Sequence, residues 1–351
     1  MIKGQDVRRY HTSSGEHVLL FPYRVENDEF VILTETELKQ ANCVYAYLSE
    51  NREKLNKRIW FEKTAEELSG QWYGMMYLDS QRSFAAKHLL TPSLSDRSNF
   101  SLGTGDLFVT GTAGVTSIIP KNGEPEDILY LLSLLNSKLV SFYAVNHSPP
   151  FSGGYFKFSA PYLKQLPIRR IAFATPPPDR KRLVAKEREL YERGLTKNTA
   201  DAVLDFVEKQ LAEKPAPNQS GRTDVIHDLL AFLAEQMMAL NKDKRTTAKQ
   251  FLTDLKDFHG IEPRTLTPKT KLDEFWKLQA GEVFAHLRAN KLRLKEADEE
   301  KLRKRFLDSQ KMLGPLEAKI VFTDRLIDQI VYRLYGLTEA EIKIVEESGG
   351  K

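Results

Sequence analysis

The spacing of apolar residues changes once along this chain, near residue 171. Before that point, short apolar and β-branched runs alternate with turn residues. "EHVLLFPYRV", "FVIL" and "DLFVTGTAGVTSIIP" are examples, and runs of this kind predict strands. Two helical patterns interrupt them. One covers 35–58, from "TETEL" to "REKLNKR". The other is "DILYLLSLLNSKLVSFYAV", with leucines on a broad face and an acidic start. "IAFATPPPDR" then ends the alternation, its three consecutive prolines predicting a stiff linker. Beyond it the apolar residues recur at helical spacing in a charged background. Helices are expected at about 177–212, 223–243, 246–258, 271–310 and 323–348, with "AEKPAPNQSGRTD" parting the first two. No internal repeat is visible, which argues against a solenoid. The pattern therefore predicts an α+β fold, with a mixed, β-rich domain over 1–170 and an all-α domain over 171–351.

Composition narrows the class. A chain of 351 residues with 41% apolar and 28% charged residues is that of a soluble globular protein with a sizeable core. No run of about 18 or more apolar residues suggests a membrane span. The N-terminal "MIKGQDVRRY" lacks the apolar segment of a secretory leader, so a cytoplasmic setting is expected. A single cysteine, Cys43, excludes an intramolecular disulfide and, with seven scattered histidines, argues against a zinc site. The net charge of +4 permits a nucleic-acid partner without requiring one.

Three stretches carry catalytic-looking chemistry. In "NHSPPFSGGYFKF", Ser148-Pro149-Pro150-Phe151 has the shape of the Asn/Asp-Pro-Pro-aromatic motif of amino-group DNA methyltransferases. Serine replaces the carboxamide or carboxylate that would accept from the exocyclic amine. The one candidate cofactor loop, "FSLGTGDLF" with Gly103 and Gly105, leads into a strand-like run, whereas a cofactor-cradling loop opens a helix. The expectation is a structural loop in which Gly153 and Gly154 take backbone angles closed to other residues. Glu317-x-Lys319 and Glu341-x-Lys343 have a nuclease-like spacing but sit in helical patterns. Asp324 and Asp328, one turn apart, are expected on a solvated face or as a helix cap. No catalytic residue and no metal ligand is expected in the chain.

Read together, several stretches over most of the chain resemble the C-terminal target-recognition region of TaqI-type adenine methyltransferases and of fused Type IIG restriction-modification enzymes. The resemblance rests on several stretches in order. They are Gly4, Asp6, Val7, Arg9 and Tyr10; "LFPY"; "YAYLSENREKLNKR"; "QWYG"; Leu134-Leu135-Asn136-Ser137-Lys138; Gly153-Gly154-Tyr155; and Tyr162-Leu163 through Leu166-Pro167-Ile168. "LLAFLAEQMMALNK" and "TDRLIDQIVYRLYGLTEAEIKIVEE" are similar to the family's later helices. The resemblance implies sequence-specific recognition of double-stranded DNA in a phage-defence system. It also implies an adenine-N6 methyltransferase domain or subunit, with or without an endonuclease, as partner. S-adenosylmethionine is expected in that catalytic part and no cofactor in this chain. The chain's start close to the first motif is read as the C-terminal portion of a larger enzyme or a separate subunit. Alternatives are a free-standing specificity subunit of a Type I-like system, or a helical interaction module with no DNA role.

DNA recognition asks for base-edge readers on a scaffold and cations for phosphates. The candidate DNA-binding residues are Arg8, Arg9, Tyr10, Arg52, Arg58, Lys87, Arg97, Asn99, Tyr155 and Lys157, with Lys57 as a further phosphate contact. Arg97, Asn99 and Lys157 stand out for their loop positions. Arg9-Tyr10 reads equally well as a salt-bridged packing pair. Trp72 and Tyr73 read as core or as DNA-facing aromatics. Met237 and Met238 are expected to fill the core. "HLRANKLRLKEADEEKLRKRF" is expected to be a solvated helix face, or else a clamp on DNA backbone or on another domain.

Overall fold

The computed structural model describes residues 1–13, 18–27, 29–78, 87–105, 110–111, 114–121, 123–213 and 221–348. Residues 106–109 and 112–113 of the expected strand run 106–120, and 214–220 of the spacer 212–224, lie outside them. The fold is α+β, and among the described residues all strands lie within the first 157. Two compact units form. The first comprises Met1–Arg8, Thr12–Glu124 and Pro150–Pro161; the second comprises Arg9–His11, Pro125–Pro149 and Tyr162–Lys351. The composition break at 170 therefore differs from the partition in space. The leucine-rich segment after residue 127 belongs to the helical unit, because its apolar face packs on a helix some hundred residues later.

In chain order the first part contains β1 (Val7–Arg8), β2 (His11–Thr12), β3 (Tyr23–Glu26), β4 (Glu29–Ile32), α1 (Glu35–Lys39), α2 (Asn42–Glu50) and α3 (Arg52–Asn56). It continues with β5 (Ile59–Trp60), β6 (Lys63–Thr64), α4 (Ala65–Ser69), β7 (His88–Pro92), β8 (Leu94–Ser95), β9 (Ser101–Gly103) and β10 (Val115–Ile118). The single helix expected over 35–58 is three short ones, because Ala41 and Asn51 leave helical backbone angles. Thr34 and Thr64 start α1 and α4 with reciprocal caps. Each threonine accepts from the amide three residues on, and Glu37 or Glu67 accepts from the threonine amide. β7 is the centre of an antiparallel sheet ordered β10-β7-β9, buried along its whole length. Leu38, Leu48, Trp72 and Tyr73 form a second core, so both aromatics of "QWYG" are packing residues.

The helical unit contains α5 (Ile128–Asn136) and α6 (Lys138–His147), followed in the chain by β11 (Pro150–Phe151), β12 (Tyr155–Lys157) and α7 (Ala160–Leu163). Its main body is α8 (Pro177–Lys197), α9 (Asp201–Ala212), α10 (Thr223–His259), α11 (Ala280–Ala289), α12 (Glu296–Tyr335) and α13 (Glu339–Ser348). α5 and α6 were one helix in the sequence reading. The chain instead bends by 68° at Ser137, which adopts extended angles and caps α6 through its hydroxyl. α10 runs unbroken where two helices were expected, and α12 continues through Pro315. Turns with a short 3-10 helix at Phe275–Lys277 stand where the helix 271–310 was expected to begin. α10 packs chiefly on α12 and α5, and Met237 is buried there. Among the described residues, no single helix is long and apolar enough to cross a membrane.

Candidate nucleic-acid interface

The three-stranded sheet β11-β12-β8 gathers distant parts of the first unit. Pro150 and Phe151 pair with Phe156 and Tyr155; Phe156 and Lys157 pair in turn with Ser95 and Leu94. Between β11 and β12 the chain turns through Gly153 and Gly154, both at positive φ (77° and 79°). That conformation needs glycine, as the sequence suggested. The turn projects Tyr155, which is 47% exposed, and sets Lys157 beside Leu94. The loop after β8 supplies Arg97 and Asn99. Asn99 donates to Ser95 Oγ at 2.9 Å, and Arg97 pairs with Asp96 at 2.9 Å on the surface. Arg97, Asn99, Tyr155 and Lys157 thus come together on one small sheet and its adjoining loop. Pairing across that sheet is invisible to any local reading of the sequence.

Ser148-Pro149-Pro150-Phe151 serves this architecture. Ser148 ends α6 with extended angles, and Pro150-Phe151 is strand. The glycine candidate for a cofactor loop also resolves into sheet. Gly103 ends β9 opposite His88, and a Cβ there would stand 2.6 Å from His88 Nε2 and 2.8 Å from Leu90. Its lack of a side chain is a packing requirement.

The remaining candidates divide sharply. Arg8, Arg52 and Lys87 are exposed in the first unit; Arg52 lies over the Trp72 ring at 4.7 Å. Arg58 is spent internally, donating to the carbonyls of Leu55, Trp72 and Gly74 at 3.0–3.1 Å. Lys57 pairs with Glu53 on the surface.

Arg9 and Tyr10 correct the expectation most. Both lie in the helical unit. Arg9 grips Asp324 of α12 with two hydrogen bonds of 2.9 and 2.6 Å and donates to the Asn136 carbonyl at 2.7 Å. Tyr10 is 1% exposed and held at φ 62°, so its ring is core and cannot meet a base in this conformation. Asp328, a turn beyond Asp324, accepts from the Lys138 amide at 2.8 Å, with Lys138 Nζ 3.9 Å from its other oxygen. Burial, followed by the neighbouring charge of Asp324, pushes the Asp328 carboxyl up to about 7. The two aspartates are neither a solvated face nor a cap. They receive the "RY" and "NSK" motifs of the chain's first half.

The nuclease-like pairs are equally structural. Glu317 pairs with Lys244 at 3.0 Å, and Glu341 completes the cap of α13 by accepting from the Thr338 amide at 2.8 Å. Among the described residues, no group of three or more His, Cys, Asp or Glu side chains could hold a metal ion.

One surface feature escaped the sequence reading. β5 and β6 form a hairpin whose tip is Phe61-Glu62, both at positive φ (46° and 64°). Ile59, Trp60 and Phe61 are exposed, and Trp60 stands 4.8 Å from Phe61 and 5.2 Å from Tyr77, ring to ring. The available signal was an apolar triplet set between Lys57-Arg58 and Lys63.

Residues 1–168 match the family model of the TaqI-like C-terminal specificity domain, and residues 223–331 match a model described as a domain of unknown function (DUF8810). The match over 1–168 supports the recognition domain that the motifs of that region suggested. A TaqI-like specificity domain implies DNA-sequence recognition and association with a methyltransferase domain, in the setting of restriction-modification. No curated protein matches the chain.

Proposed function

We propose that this chain is the sequence-reading part of a restriction-modification adenine-N6 DNA methyltransferase of the Type IIG kind, working in the cytoplasm. Catalysis, and S-adenosylmethionine with it, would be supplied by a methyltransferase domain or subunit outside these 351 residues. That part would act on an adenine turned out of the duplex while this chain holds sequence and register. The observation that carries the reading is the β11-β12-β8 sheet within the matched domain. It gathers Arg97, Asn99, Tyr155 and Lys157 from two regions about sixty residues apart, giving cationic, amide and aromatic groups beside one glycine turn. Those are the side-chain types that contact phosphates and base edges.

The test is fluorescence anisotropy of the chain with duplex DNA across salt, followed by selection from a random-sequence pool. Binding that weakens steeply with salt, and a selected motif that changes in Arg97→Ala or Asn99→Ala, is the expected result. No binding even at low salt would sink the reading. Micromolar binding of S-adenosylmethionine by the chain alone, seen by titration calorimetry, would overturn the division of labour.

A further inference from the structure

We propose that the β5–β6 hairpin tip is a stacking wedge for duplex DNA, with Phe61 entering an opened base step and Trp60 and Tyr77 bracing it from behind. The inference rests on the DNA-recognition reading above and adds a second contact region to it. Phe61 is 80% exposed, Ile59 68% and Tyr77 56%, an unusual outlay of large apolar side chains in one place. The tip is also conformationally costly. Two-residue hairpin turns with both central residues at positive φ favour Asn-Gly or Asp-Gly, whereas here the positions hold Phe61 and Glu62. An aromatic ring kept where glycine would relieve the backbone calls for a use outside the fold. The rings form a ridge, since Trp60 meets Phe61 at an interplanar angle of 61° and Tyr77 at 60°.

Charge decides the class of partner. Over residues 52–63 the exposed cations Arg52, Lys54, Lys57 and Lys63 outnumber the anions Glu53 and Glu62, with Lys57 paired to Glu53 and Arg58 spent internally. Lys57 and Lys63 are exposed beside the tip. Lysine is depleted at protein–protein interface cores, whereas cations around a projecting aromatic suit phosphates flanking a base step. Apolar wedges that part base steps follow the same arrangement.

The experiment titrates the full chain with a random-sequence duplex, reading anisotropy and tryptophan emission together. Trp60 is 39% exposed, while Trp72 is buried and Trp276 partly buried, so quenching reports the tip. The wild type should be quenched on binding, and Trp60→Phe should remove most of the quenching. Phe61→Ala should weaken binding about five- to hundredfold, the range for loss of one stacked base, with an unchanged salt slope. Phe61→Gly should lose the same affinity while melting no lower than wild type, which separates contact from folding. If the wild type binds duplex without quenching and the tip variants bind equally well, the wedge is wrong while the DNA reading stands. If those variants instead lose a methyltransferase partner, the tip is a protein interface. If the wild type binds no duplex at low salt, the DNA reading fails and the wedge falls with it.

Discussion

Two turns of the chain carry motif residues, and the fold treats them in opposite ways. At Arg9-Tyr10 every strong group is turned inward. The guanidinium meets Asp324 and the Asn136 carbonyl, and the tyrosine is sealed in the core at a positive φ. At Gly153-Gly154 the backbone also takes positive φ, but Tyr155 just beyond it stays on the surface. A motif can therefore mark a place where the chain is held or a place where it is offered. Only burial and partners tell the two apart. Cations at a held place contribute to stability, and cations at an offered place can contribute to binding.

Breaking the held turn should have the largest effect. Arg9→Ala leaves Asp324 facing the buried Asp328 without its cation, which should cost about 2–4 kcal/mol in urea denaturation. DNA affinity of the molecules that remain folded should be unchanged. A large loss of affinity with normal stability would show that the turn is offered after all.

The same region can be sharpened with pH. Asp328 titrates near 3.8 when unfolded and is pushed up to about 7 in the fold by burial and by Asp324, against the pull of the Lys138 amide, Arg9 and Lys138. Between those values the folded state holds a proton that the unfolded chain has released. Stability from this group is thus complete below about 4 and is lost as pH rises through about 7. Asp328→Asn, which can still accept from the Lys138 amide, should match wild type near pH 4 and exceed it by about 1–3 kcal/mol at pH 8. A stability difference that does not change with pH would contradict this account.

The offered turn should give smaller numbers. Gly153→Val or Gly154→Val puts a β-branched residue at positive φ and should cost about 1–3 kcal/mol. Lys157 is half-buried beside Leu94, so Lys157→Ala should cost about 0.5–1 kcal/mol, less than either glycine variant, yet weaken duplex binding. If both glycine variants melt normally and Lys157→Ala binds DNA as well as wild type, the sheet β11-β12-β8 is not the reading surface.

The sequence was informative where short-range periodicity decides and uninformative where partners are remote. The positive φ at Gly153 and Gly154 followed from the spacing of aromatic and glycine residues around a tight turn. The burial of Trp72 and Tyr73 was one of two open readings. The bend at Ser137 was hidden, because leucine periodicity runs straight across it and only the serine's own capping bond redirects the chain. The continuity of α12 was hidden by Pro315, whose missing amide is tolerated inside a helix packed on both sides of it. Arg9 and Asp324 are 315 positions apart, so no window joins them. The aromatic hairpin tip was in plain view as "IWFE", but strand propensity gave no reason to expect exposure.

Helix α12 has one more consequence, for how the helical unit comes apart. Its buried side chains fall into two groups, Leu302 to Leu313 and Thr323 to Leu334, with none from 314 to 322. α10 is divided likewise. Ala248, Phe251 and Leu255 join the first group of α12 in one cluster, while the stretch from Thr223 to Met237 is buried separately. Between the clusters, Lys244 and Glu317 make the cross-tie. Two long rods carrying two groups of buried side chains should open as two cooperative blocks, at different free energies. Amide exchange should resolve the blocks as distinct plateaus, with the solvent-facing turns around Pro315 as the first point cut by a protease.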